Sequence, residues 1–346
     1  MGRIVIIRDL IGFIKDKASL FKAVLVPKSS SLSLRLAVLR VTTHSPPAPP
    51  NDGQLSTLLL LGDSSRATAS AIIAILMDRL HRTRNCIVAL KCLMTIHYII
   101  KHGPFILQDQ LSIFPVSGGF NYLKLSAFRD GTTATMWALS VWVRWYARYL
   151  ETLLSSSRVL GYLICSSSSS TVKENQEQRI PFFLNADLIK DVDCLVGLVE
   201  EMCEVPNFLL LERNMLLNEI MGLLSNDYLS AVHEILVRID ELRERLSCLS
   251  SCDLTELVRA LKKLQDCKEK LLALFSPRTT SVETLWGLIE ELYGRVEMSK
   301  MYKESELLDF GRGKASESAR LEQRVVNSGD SVQFQSGRFS FLVQTN

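Results

Sequence analysis

The sequence predicts an all-α protein of stacked helices, and three observations carry that prediction. Apolar residues recur at alternating spacings of three and four along most of the chain, the mark of a single buried helical face. Few stretches alternate with period two, so no strand is required. Short breaks separate the long periodic segments, which favours antiparallel packing of neighbours. The chain has 346 residues, 47% hydrophobic and 22% charged, enough to bury a sizeable core and to fill roughly two domains.

Residues 4–22 read as an amphipathic helix. Ile4, Ile7, Ile11, Ile14 and Ala18 form an apolar stripe, and Arg8, Lys15 and Lys22 recur every seven residues beside it. Such a helix either packs its apolar face on the domain with its lysines solvated, or lies in a membrane surface. The pattern alone leaves both open. The first 44 residues hold eight Lys or Arg against Asp9 and Asp16, a net +6 in a chain of net +3. A basic, apolar-striped leading segment on a near-neutral body points to an anionic partner surface.

A second helical segment runs from about Leu34 to Thr43. Four prolines between Pro46 and Pro50 then impose an exposed loop. Helical patterns resume at 54–61, 67–82, 85–102 and 135–164. Five consecutive serines mark 166–185 as a linker. Beyond it, Leu188, Val192, Leu195, Val199 and Met202 share a face, then Leu229, Val232, Leu236 and Ile239, then Leu254, Leu257, Leu261, Leu264 and Leu271. From 299 onward the periodicity fades, and 299–346 reads as a disordered tail. The expected divisions are therefore 1–165, a 166–185 linker, 186–298 and the tail.

Enzyme signatures are missing or broken. There is no Gly-x-Ser-x-Gly elbow and no P-loop, and His233-Glu234 has Val237 where a second zincin histidine belongs. No catalytic residue, metal site or cofactor is expected. The eight cysteines lack zinc-type spacing and read as reduced, buried thiols. His97 reads as a packed core histidine, with Lys91, Thr95, Tyr98 and His102 on the opposite, solvated face. No apolar run reaches the roughly 18–20 residues needed to span a bilayer, and no secretory leader is expected. Ile6 breaks the myristoylation pattern behind Met1-Gly2. The basic residues lack the aromatic interleaving of a nucleic-acid surface, so nucleic acid is not an expected partner.

Several long strings resemble the ANTH domain of the plant monomeric clathrin-assembly proteins. They are Asp9-Leu10-Ile11-Gly12 through Ser19, Arg40-Val41-Thr42-Thr43-His44, Ala89 through His97, Lys101-His102-Gly103, Phe105 through Leu111, Asn121 through Asp130, and Trp142 through Leu150. The resemblance implies a right-handed superhelical α-solenoid followed by a bundle of longer helices. It implies a peripheral adaptor of clathrin-mediated endocytosis and coat assembly, cytoplasmic, on plasma-membrane coated pits, coated vesicles and the Golgi. Its partners would be phosphatidylinositol bisphosphate membranes, clathrin, SNAREs and the adaptor complex.

In that family a basic residue and a histidine at a helix end bind the headgroup with a basic cluster in the next loop. Arg40 and His44 match the first half, with Arg8, Lys15, Lys22 and Lys28 as supporting cations and Ile4, Ile7 and Ile11 as membrane-inserting residues. Asp52, Gly53 and Gln54 stand where the second half would be basic. The tail carries no Asp-Pro-Phe, Asn-Pro-Phe or Asp-Leu-Leu motif. The alternative is a helical scaffold that binds SNAREs or other protein helices with weak lipid affinity.

Overall fold

The computed structural model describes residues 2–24, 29–113, 123–166, 178–206, 214–275 and 280–298. The tail at 299–346, Lys28 and the serine run beyond Ser166 lie outside these residues, as do the side chains of Ile4, Ile7, Arg8 and Lys22. The described residues contain helices and no strand. The helices are α1 Gly2–Val24, α2 Ser29–Val41, α3 Asp52–Asp63, α4 Arg66–Arg82, α5 Cys86–His102, α6 Phe105–Ser112 and α7 Ala134–Leu160. Then follow α8 Asn185–Cys203, α9 Met215–Glu244, α10 Ser251–Leu274 and α11 at 280–298.

Polar residues just outside the apolar patterns set where most of these helices begin. Asn51, Asn85 and Asn214 each accept two backbone N–H groups of the helix they precede. Ser65 with Thr68 and Ser250 with Asp253 form reciprocal capping boxes on α4 and α10. Each cap satisfies amides that the first helical turn leaves without a partner.

Helix α5 is the axis of the first half. It packs against α2, α4, α6, α7 and α9, so every residue from Cys86 to His97 is buried. The face carrying Lys91 and Thr95, expected to be solvated, is therefore interior, and only His102 on it is exposed. Helix α8 plays the same part in the second half, packed by α7, α9 and α10. Met1–Val296 pack as one unit. Ser166 and Ile180, inside the stretch read as a linker, are both buried. Cys86 and Cys92 are buried as expected, but Cys248 and Cys252 are exposed. Trp142, Trp145 and Trp286 are core residues, whereas Trp137 faces outward.

Two buried polar clusters cross the halves. Asp227 of α9 accepts from Lys101 Nζ at 2.6 Å and Tyr149 OH at 2.6 Å, and its Oδ2 lies 2.6 Å from His97 Nε2. His97 Nδ1 continues to Tyr146 OH at 2.7 Å. The expectation of a packed core histidine is met, with an acid 130 residues away as its partner. In the second cluster Arg238 of α9 donates to Asp191 of α8 at 2.9 Å and to Glu234 at 2.8 Å, and Tyr162 donates to Glu234.

Gly103 closes α5 in the Lys101-His102-Gly103 string. Its N–H donates to Ile99 O at 2.9 Å, and a Cβ built on it would lie only 2.4 Å from that same oxygen. A backbone carbonyl cannot swing aside as a side chain can. Gly103→Ala is expected to cost about 1–3 kcal/mol of unfolding free energy, read by urea denaturation. A change below about 0.5 kcal/mol would show that the turn has room for a methyl group.

Candidate functional site

Helix α1 packs with its polar side inward. Gly12 is buried, and Asp16 and Ser19, at four and seven residues further on, are half-buried against the body. The Gly12 position is a close approach: a Cβ there would sit 3.1 Å from His44 Cβ. The opposite side of the same helix carries Leu10, Ile14 and Phe21, 57%, 56% and 68% exposed, flanked by exposed Ile11 and Phe13. Lys15 and Lys17 are exposed among them, with Lys17 Nζ 5.3 Å from the centre of the Phe13 ring. Ile11, Ile14 and Ala18, of the apolar stripe read from the sequence, thus face away from the core.

What holds α1 down is the Arg40–His44 run. The His44 N–H donates to Asp16 Oδ2 at 2.8 Å, and His44 Nδ1 lies 2.6 Å from Asp16 Oδ1. Two further helices fix the same run. Arg79 of α4 donates from Nη2 to Thr42 O at 2.5 Å and lies 3.9 Å from Asp16 Oδ1. Lys91 of α5 donates to Thr43 Oγ1 and to Pro46 O, each at 2.9 Å. Burial pushes the Lys91 ammonium down to about 8, with Asp16 pulling it back up and Arg79 pushing it lower. Burial likewise lowers Arg79, against Cys92 and Asp16.

Arg40 lies exposed in the last turn of α2. His44 is half-buried and engaged with Asp16, so the two residues that match the family's first half differ in setting. The start of α3, where the second half would lie, is a capped helix end. Asn51 Oδ1 accepts the Gly53 and Gln54 N–H groups at 3.1 and 3.3 Å, and Asp52 adds an exposed carboxylate. Sequence reasoning missed Asp16, Arg79 and Lys91 as the groups that position the run. Asp16 and Lys91 lie within the strings that carry the resemblance, but their partners are 28 and 48 residues away. No helix among the described residues is long and apolar enough to cross a membrane.

Residues 33–275 match the ANTH domain. The chain belongs to the ANTH domain family. It is 47% identical over 356 aligned residues to an Arabidopsis thaliana protein named "Putative clathrin assembly protein", covering 100% of this chain and 98% of that one. A second Arabidopsis thaliana protein of the same name is 32% identical over 296 residues, covering 83% of this chain and 85% of its own length. With a third, the match is 36% over 165 residues, 47% of this chain but only 28% of that relative. For an ANTH domain protein, the all-α solenoid and its longer C-terminal helices are the family fold, and the Arg40–His44 run lies inside the matched region.

Proposed function

We propose that this ANTH domain protein is a non-enzymatic peripheral membrane adaptor that binds phosphoinositide-bearing membranes and joins them to clathrin coats in endocytosis. The observation that carries the reading is the orientation of α1. A helix that turns Leu10, Ile14 and Phe21 to solvent beside Lys15 and Lys17 suits the interface of an anionic bilayer. Arg40 adds an exposed cation at the end of α2, and Ile11, with Ile4 and Ile7 by their sequence spacing, is proposed to insert beside that face. The clathrin part of the reading rests on family membership and on the names of the relatives.

Co-sedimentation of the full chain with liposomes of graded phosphoinositide content tests it. Pelleting should rise with phosphoinositide and fall with salt, because exposed charges are screened within about 10 Å at 0.1 M ionic strength. Each cation near an anionic surface contributes about 1 kcal/mol, so Arg40→Glu should lower affinity by roughly tenfold or more. Absence of pelleting at low salt would sink the membrane reading. In that case the second reading, a scaffold for protein helices, gains from Asp52 and Gln54, which leave the α3 end without the positive charge a headgroup needs.

A further inference from the structure

We propose that Cys203 of α8 and Cys267 of α10 are a peroxide-sensitive dithiol that closes to a disulfide and staples the two helices together. The site is independent of the membrane reading. Cys203 ends α8, and Cys267 lies on the buried side of α10, which packs along α8. Cys203 Sγ donates to the Cys267 backbone oxygen at 3.9 Å, and the two thiols are themselves in hydrogen-bonding contact. A disulfide requires side chains that already point at one another, and these two meet across the helix pair.

Access and reactivity set this pair apart from the core thiols. Cys203 is half-buried, and both residues line a surface groove of about 450 Å³. Cys86 and Cys92 are buried in the core, and burial pushes each thiol up to about 12, so they stay protonated. At Cys267 the hydrogen bond from Cys203 lowers the thiol below its ordinary range. Lys270 adds to that, while burial and Glu200 oppose it. The same contact, with burial, raises Cys203. Cys267 is therefore the attacking sulfur and Cys203 the resolving one.

The groove wall selects the oxidant. Glu200, Glu201, Glu204 and Asp266 outnumber Lys263 and Lys270. Such a wall repels glutathione disulfide, which is an anion, and admits uncharged hydrogen peroxide. The Cys267 thiolate attacks one peroxide oxygen. An S–O bond forms, the O–O bond breaks, and the departing hydroxide takes up the proton that Cys267 released, giving water. The Cys203 sulfur then attacks the sulfenic sulfur. The S–S bond forms, the S–O bond breaks, and the hydroxide that leaves takes the Cys203 proton as a second water. Two thiols give up two electrons, and one peroxide is reduced to two waters.

The test uses the full chain, reduced and then treated with hydrogen peroxide, with free thiols alkylated before peptide mapping by mass spectrometry. The expected product is a Cys203–Cys267 crosslinked peptide that dithiothreitol reverses. The bond joins residues 64 positions apart, so the melting temperature should rise by about 5–10 °C on oxidation and fall back on reduction. Glutathione disulfide at the same concentration should crosslink the pair about tenfold more slowly. In Cys203→Ser the sulfenic acid lacks its resolving thiol and should accumulate on Cys267, where dimedone labels it. The mapping itself needs no variant, so the result does not hang on how Cys203→Ser folds. If both thiols stay alkylatable after peroxide while the exposed Cys248 and Cys252 are oxidised, the proposal is overturned. Sulfenic acid on Cys267 with no crosslink in the unaltered chain overturns it too, because the sulfurs then fail to meet. Equal rates with glutathione disulfide overturn the assignment of peroxide as the oxidant.

Discussion

Asp227→Ala lowers the unfolding free energy by about 3–5 kcal/mol, the cost of breaking a buried ion pair from one side. The carboxylate is fully buried, and three side chains from α5 and α7 converge on it: His97, Lys101 and Tyr149. Removing it leaves a nearly buried Lys101 ammonium facing an empty space, which is worse than losing the pair outright. The damage falls on the join between halves, because Asp227 belongs to α9 and its partners to α5 and α7. Burial alone would raise the Asp227 carboxyl, but the charges and hydrogen bonds of His97 and Lys101 outweigh it and hold it below the ordinary carboxylate range. An acid depressed in the folded state stabilises fully above its unfolded value, about pH 4, and loses that contribution as pH falls further. Urea denaturation of the two proteins should therefore differ most near neutral pH and converge on acidification. A difference below about 1 kcal/mol at pH 7 would mean that the cluster contributes little beyond its own burial.

The reach of the sequence reading follows from what periodicity measures. Leu254, Leu257, Leu261, Leu264 and Leu271 were readable as the inner face of α10 because one side of that helix is buried and the other is wet. In α5 the same logic failed for Lys91 and Thr95, since neighbours surround the helix on all sides. No local pattern could announce that Lys91 meets Thr43 and Pro46, or that His97 meets Asp227. Helix α6 carries no readable face because its polar Gln108 and Gln110 are buried while its apolar Phe105 is exposed. The deepest ambiguity lay in α1. A spacing of three and four defines a face, not the direction it looks. There a glycine contact and the Asp16–His44 pair chose the polar side for packing. The resemblance supplied Arg40 and His44, which charge counting could not have singled out. It did not supply the carboxylate that occupies His44.

Because α1 is turned that way, substituting its outer face separates membrane binding from folding. Leu10→Gln, Ile14→Gln and Phe21→Gln together should reduce liposome affinity about 100-fold. A fully buried large apolar side chain contributes about 1.5–3 kcal/mol, and a helix lying in the interface buries each only partly, so about 1 kcal/mol apiece is expected. Three such losses make about 3 kcal/mol, or two factors of ten in affinity. Glutamine keeps a high helix propensity, and all three positions are exposed, so the unfolding free energy should stay within about 0.5 kcal/mol. The salt dependence discriminates further. Lys15, Lys17 and Arg40 remain in the triple variant, so its residual binding should be almost wholly electrostatic and vanish at high salt. The unaltered protein, once inserted, should retain part of its binding under the same conditions. If the triple variant pellets as well as the parent at both salt concentrations, the outer face of α1 does not enter the bilayer. Unchanged membrane affinity with altered folding would instead mean that the face is covered within the protein.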